Sequence, residues 1–190
     1  LTNLQRQIAH SEKDIGSPKV ASAAASLQGL NPDVRVTAIA ERLSGGRLQE
    51  LVKQADVVVD ACDNFSTRFA VNESCIAAGK PLVSGAAIRL EGQVTVFDCR
   101  DARSPCYQCL YQARDDDDVS CASNGVMAPV VGIIGSVQAL ETIKLIAGVG
   151  SPLVGRLVLF DGLALNWREM KLPRDPGCEA CAQRAAESTE

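Results

Sequence analysis

Three consecutive valines, Val57, Val58 and Val59, run straight into Asp60-Ala61-Cys62-Asp63-Asn64, and this join constrains the fold more than any other stretch. A β-branched run broken abruptly by polar residues reads as a buried parallel strand ending in a loop, and Phe65 to Ala78 then reads as a helix. In open α/β sheets, ligands sit just outside the carboxyl ends of such strands. Asp60 and Asp63 therefore arrive where a ligand is expected, with Asn64 beside them and Arg68 one turn into the helix. A carboxylate at that point suits a magnesium ion on a nucleotide phosphate. It equally suits a plainer task, because Asp63 or Asn64 would make a good cap for the helix that follows.

The surrounding pattern repeats the theme. Ser17-Pro18 opens a helix to about Leu30, stopped by Asn31-Pro32. Residues 34–40 alternate as a strand, Gly45-Gly46 turns the chain, and residues 48–54 form a short helix. Strands are expected at 82–85 and 93–97, with 86–92 between them, and two closing strands at 156–161 and 166–172. This alternation predicts an α/β fold, with a Rossmann-like, mostly parallel twisted sheet and helices on both faces. Residues 126–149 are the most apolar stretch, long enough to raise the question of a membrane span. Pro129, Gln138, Glu141 and Lys144 interrupt it, so it reads as a buried helix ended by Gly148 and Gly150, apolar enough all round to supply a subunit contact.

With 190 residues, 46% of them hydrophobic, the chain can build one real core, and a single domain over 1–190 is the expectation. The net charge of −4 and the lack of any strongly basic stretch argue against a nucleic-acid or membrane-surface partner. No signal peptide opens the sequence, which points to the cytoplasm, and the start at Leu1 suggests a preceding segment. Residues 112–124 turn polar and include Asp115 to Asp118, so they read as a solvated, mobile crossover loop; residues 182–190 read as a frayed tail.

Four of the eight cysteines fall in two C-x-x-C pairs, Cys106/Cys109 and Cys178/Cys181. Each pair offers two thiolates from one tight knuckle, and together they complete a tetrahedral zinc site with no open position. A redox pair and a chance spacing are the rival readings. A closed site does no chemistry; it would staple the C-terminal segment to the loop at Cys106 and close a long span at modest extra entropy cost. Near the start, Lys19 in the first turn of its helix opposes the helix dipole. An anion held between Lys19, Arg6 and the helix start would offset that; an ordinary solvated lysine is the alternative.

Taken together, Asn3-Leu4-Gln5-Arg6-Gln7, Gly16-Ser17-Pro18-Lys19, Asp60 to Asn64 with Arg68, Pro81 to Gly85, Cys106/Cys109, Gly125 to Pro129 and Cys178/Cys181 resemble the ThiF/MoeB family of adenylyltransferases, bacterial relatives of the ubiquitin-activating enzyme. The resemblance covers nearly the whole chain. Arg89 to Val96 and Arg168 to Leu172 are most similar to the molybdopterin-synthase branch, with the thiamine branch close behind. The resemblance implies an enzyme that binds ATP with Mg2+ and the Gly-Gly tail of a small ubiquitin-like sulfur-carrier protein. The tail carboxylate attacks the α-phosphate, pyrophosphate leaves, and a sulfurtransferase system later converts the acyl-adenylate to a thiocarboxylate. By resemblance Arg6 and Lys19 fix positive charge for this attack, Asn3 and Gln7 donate hydrogen bonds, Asp63 holds the magnesium and Asn64 sits beside it. Fixed positive charge is what an anion approaching a polyanion requires. Arg68 matches a recurrent family position that either contacts phosphate or makes a structural pair.

Cys121 matches a cysteine that links to the carrier in the thiamine branch and is dispensable in the molybdopterin branch. An acidic run beside it raises a thiol pKa, which favours the dispensable reading. His10, Cys62, Cys75 and Cys99 read as structural. The family's glycine-rich phosphate loop and ribose-binding acid do not occur in this sequence, so the resemblance implies the C-terminal part of a longer adenylation domain, active as a homodimer with an arginine donated across the interface. Two other classes remain in play: a non-catalytic carrier-binding scaffold with the same fold and zinc, and an NAD(P)-dependent oxidoreductase, which would need the absent glycine fingerprint.

Overall fold

The computed structural model describes residues 3–111 and 125–182. The expected crossover loop at 112–124 with Cys121, and all but the first residue of the expected tail at 182–190, lie outside them. The chain divides into two compact units, Leu1–Leu43 and Ser44–Glu190.

In the first unit, the Asn3 carbonyl accepts from the Arg6 and Gln7 N–H groups, both at 3.2 Å, forming a turn. Helix α1 (Lys19–Leu30) follows Pro18, whose φ of −58° already matches a helix. Ser26 Oγ donates to the Ala9 carbonyl at 2.7 Å, and His10 Nδ1 lies 2.7 Å from Ser22 Oγ, tying α1 to the preceding segment. Residues 34–40 form no strand, contrary to the pattern. A strand needs a neighbour for its ladder, and this unit contains no other strand among its described residues.

The second unit holds α2 (Gly45–Gln54), β1 (Val58–Asp60), α3 (Phe65–Ala78), β2 (Leu82–Ile88), β3 (Glu91–Phe97), a short α4 (Tyr107–Leu110), α5 (Ala128–Ala147), β4 (Arg156–Asp161) and β5 (Asn166–Lys171). Gly45 and Gly46 belong to the first turn of α2 and not to a separate loop. The strands make one sheet in the order β1-β2-β3-β4-β5. Its class is α/β, yet among the ladders of the described strands only β1–β2 is parallel; β2–β3, β3–β4 and β4–β5 are antiparallel. The mostly parallel expectation is corrected here for a simple reason. Residues 86–92, expected to separate two strands, extend both of them, leaving only Arg89 and Leu90 as a turn, with Arg89 at φ +53°. A two-residue connection gives an antiparallel hairpin, since a parallel return needs a crossover of about a dozen residues.

Val83, Val94 and Val96 form the core with Val130, Ile134, Leu153 and Phe160. Val83 and Val96 are ladder partners and so share the sheet face that α5 covers. The alternate residues Leu82 and Phe97 pair on the other face, where the Tyr107 ring meets Phe97 edge-on at 6.1 Å. Helices therefore cover both faces, as the pattern implies. In α3 the buried residues Arg68, Val71, Asn72 and Cys75 recur at helical spacing. In α5 the buried stripe is Val130, Ile134, Gln138 and Glu141. That helix is not buried throughout: Leu140, Ile143 and Ile146 are exposed on its other side. Val59 in β1 is likewise 47% exposed, because β1 is the edge strand of the described sheet and lacks cover there.

Candidate functional site

The turn from β1 to α3 is held by side chains from those two elements and from two others, β2 and α5. Asp60 is 2% exposed, and its Oδ1 accepts from the Cys62 N–H at 2.8 Å, while Oδ2 accepts from Ser84 Oγ on β2 at 3.1 Å. Arg68, 7% exposed, places Nη1 3.7 Å from Asp60 Oδ2. The same guanidinium donates to the Cys62 carbonyl through Nε at 3.2 Å and through Nη2, and to the Gly85 carbonyl at 3.2 Å. From α5, Gln138 Nε2 donates to the Asp60 carbonyl at 2.8 Å. Gly85 makes that reach possible, because a Cβ there would collide with the Gln138 side chain.

The result is a fixed turn that presents Asp63 to solvent. Asp63 is exposed and accepts from Asn64 Nδ2 at 3.2 Å. Asn64 is the helix cap: its Oδ1 accepts from the Thr67 N–H at 2.9 Å and from Ser66 Oγ at 2.9 Å. Of the two readings left open by sequence, the cap thus falls to Asn64, and the solvent-exposed carboxylate is Asp63. Arg68 resolves in the same way. Its donors are committed to Asp60 and two carbonyls, so it is a structural pair. Cys62 sits inside the turn with its thiol pushed up to about 12 by burial and then by Asp60, which makes it a poor nucleophile. Burial also raises Cys75 to about 12, in keeping with its structural reading.

In the first unit, Arg6 is half-buried and its Nη2 donates to Asn3 Oδ1 at 2.8 Å; Gln7 is half-buried beside it in sequence. Lys19 is exposed in the first turn of α1, a turn without acidic residues, so its ammonium and the free N–H groups of the helix start present positive potential together. Asn3, Arg6, Gln7 and Lys19 thus belong to one unit, and Asp63 and Asn64 to the other.

The second pair of motifs converges as its spacing suggested. Sγ of Cys106 lies 3.8 Å from that of Cys109 and 3.6 Å from that of Cys178, and Cys109 lies 3.6 Å from Cys181. All four ligand atoms fall within 4.8 Å of one another. A tetrahedron with metal–sulfur bonds of about 2.3 Å has edges of about 3.8 Å. These spacings are far above a disulfide bond of about 2.05 Å, so the cluster could hold a metal ion such as zinc. Burial drives the Cys106 thiol pKa upward, with the neighbouring thiols adding to it, so four anionic sulfurs here require a cation among them. Tyr107, next to Cys106, is 1% exposed; its N–H donates to Asn72 Oδ1 on α3 at 2.9 Å.

Sequence reasoning overlooked Gln138 and Ser84 as supports of the turn. Gln138 carried a signal, being a polar residue within an apolar run; Ser84 carried none.

The ThiF family matches residues 1–180. The chain is 47% identical over 183 residues to the molybdopterin-synthase adenylyltransferase of Escherichia coli (strain K12), covering 96% of this chain and 73% of that protein. It is 41% identical over 181 residues to the sulfur carrier protein ThiS adenylyltransferase of the same strain, covering 95% and 71%. It is 42% identical over 186 residues to the adenylyltransferase and sulfurtransferase MOCS3 of Mus musculus, covering 96% of this chain but 40% of that one. Among solved structures, E. coli MccB with ATP superposes at a TM-score of 0.76 and 22% identity, over 95% of this chain and 56% of that chain, a likeness of fold alone. The match across nearly the whole chain, and the identity to these relatives, mean that the chain belongs to the ThiF family.

Proposed function

We infer that this chain adenylates the C-terminal carboxylate of a ubiquitin-like sulfur-carrier protein that ends in Gly-Gly, in the pathway to the molybdenum cofactor. In that reaction a carboxylate oxygen bonds to the α-phosphorus of ATP, the bond to the leaving oxygen breaks, and pyrophosphate departs. The observation that carries the reading is the exposed Asp63 on a turn fixed by Arg68, Asp60 and Gln138, in a chain 47% identical to a molybdopterin-synthase adenylyltransferase. Asp63 would hold Mg2+, which neutralises phosphate charge when bound. A rigid turn matters because catalysis by charge placement fails when the charge is free to move. Arg6 and Lys19 would supply positive charge to the phosphates, with Asn3, Gln7 and Asn64 donating to the nucleotide. Burial and their mutual pairing leave Asp60 and Arg68 outside that list.

The four-cysteine cluster would hold Zn2+ as a structural centre, and its reduced thiols suit the cytoplasm. The exposed Leu140, Ile143 and Ile146 of α5 support a homodimer. A sulfurtransferase would act on the adenylate, in line with the name of the MOCS3 relatives. Identity of 41% to the ThiS adenylyltransferase keeps the thiamine carrier as a second reading. Incubating the protein that contains this chain with Mg-ATP and each carrier, followed by mass spectrometry of the carrier, tests the proposal. An AMP adduct on one carrier, absent with Asp63→Asn, is the expected result; unmodified carriers throughout would refute it.

A further inference from the structure

We propose that Gln138 is a positioning residue for the reaction: seated against Gly85, it sets where the turn bearing Asp63 stands, and so how much Mg2+ strengthens the binding of ATP. The proposal rests on the adenylation reading, in which Asp63 holds Mg2+ on the nucleotide. A carboxylate on a loose turn would lose part of its metal affinity to the cost of being ordered, so whatever fixes the turn beforehand raises that affinity. β1 ends at Asp60, and from there the main chain leaves the sheet for Asp63, three residues on. Gln138 grips that exit. Its Nε2 donates to the Asp60 carbonyl at 2.8 Å and to the Val83 carbonyl of β2 at 3.4 Å, joining two neighbouring strands from α5.

An amide fixes a carbonyl only if it is itself fixed. Gln138 is buried, and α5 is anchored about one turn away on either side: Ile134 packs over Gly92, and Glu141 Oε2 accepts from the Leu153 N–H at 2.8 Å. Gly85 completes the seat. It lies within β2 and has no positive φ, so its backbone conformation does not call for glycine. Space does, because a Cβ there would fall on the Gln138 amide. The Gly85 carbonyl also accepts from Arg68 Nη2 at 3.2 Å, so the two braces of the turn, one from α3 and one from α5, meet on one residue. Gln138 touches the Asp60 main chain and not Asp63, so it acts through the turn. Groups of this kind, one step removed from a ligand, change metal affinity or activity about 10- to 100-fold when lost.

The test measures ATP affinity by equilibrium dialysis with Mg2+ and with a chelator in its place, and the kcat and carrier KM of ATP–pyrophosphate exchange. It compares the protein that contains this chain with Gln138→Met, Gly85→Ala and Gly92→Ala. Gln138→Met keeps the length and loses the donor; Gly85→Ala keeps the donor and displaces it. Each should cut the gain in ATP affinity that Mg2+ brings, and lower kcat, by about 10- to 100-fold, with the carrier KM unchanged. Gly92→Ala is the control for packing: it crowds the same helix at Ile134, one turn from Gln138, and should lower stability while leaving that gain and kcat at wild-type values. If Gln138→Met keeps the wild-type gain and kcat, or loses them no further than Gly92→Ala does, Gln138 only packs α5 against the sheet and the proposal is overturned. Should Gln138→Met not fold, Gly85→Ala against Gly92→Ala decides by the same comparison. A wild-type protein that shows no exchange with any carrier overturns the adenylation reading as well, whereas exchange that is equal in all forms overturns only the role of Gln138.

Discussion

Arg68 and Asp60 form a pair that is almost fully sealed from solvent, at 7% and 2% exposure. Replacing one member leaves the other as an uncompensated buried charge. Arg68→Met should therefore destabilise the fold by about 3–5 kcal/mol in urea unfolding, and Arg68→Met with Asp60→Asn together should cost less than Arg68→Met alone. Asp98 behaves differently, being partly exposed. Burial opposes its ionisation, but Arg100, donating through Nε at 2.8 Å and Nη2 at 2.7 Å, outweighs that and holds its carboxyl below the ordinary aspartate range. A depressed carboxylate lends stability above its unfolded pKa and loses it as pH falls through the folded one. Unfolding midpoints of wild type and Asp98→Asn should accordingly converge as pH drops below about 4. Single residues were unevenly legible beforehand. The two aspartates were visible as a pair, but which one faces water depends on Ser84 and Gln138, which arrive from other elements. Which residue caps α3 was open for the same reason: Asp63 and Asn64 are equivalent in pattern, and only geometry assigns the Thr67 N–H to Asn64.

At the scale of elements, α3 and β4 occupy the ranges their patterns predicted, because each combines clear punctuation with an apolar stripe. The strand at 34–40 failed because pattern alone supplies no ladder partner. β2 and β3 ran longer than their apolar cores, since a ladder continues through polar residues once a two-residue turn has set the register. α5 shows the limit of composition. Its sequence is apolar on nearly every side, yet the side buried against the sheet includes Gln138 and Glu141, with Glu141 Oε2 accepting from the Leu153 N–H at 2.8 Å and pairing with Lys144. The helix approaches the sheet closely at Gly92, where a Cβ would fall 2.5 Å from Ile134. Gly92→Ala should thus destabilise the protein by about 1–3 kcal/mol through overpacking, read as a lower urea midpoint at an unchanged slope.

For the whole molecule, the four-cysteine cluster joins chain segments distant in sequence, at 106–109 and 178–181. A cross-link over such a span constrains the unfolded chain by about 3–5 kcal/mol. At about 2–4 °C per kcal/mol for a chain of this size, a chelator that strips the metal should lower the melting temperature by about 6–20 °C, and added zinc should restore it. The family, the α/β class and the cysteine pairing were all legible in the sequence because each rests on motifs with fixed local spacing. The ladder directions were not, because they depend on turn length and strand extension, which shift by a residue or two without changing the pattern. The central claim concerns chemistry, and ATP–pyrophosphate exchange by the protein that contains this chain tests it most directly. Exchange that requires a Gly-Gly-tailed carrier, and is lost in Asp63→Asn while the fold remains stable, is the predicted result. Carrier binding without exchange, for every carrier tried, would contradict it and leave a binding scaffold in place of an enzyme.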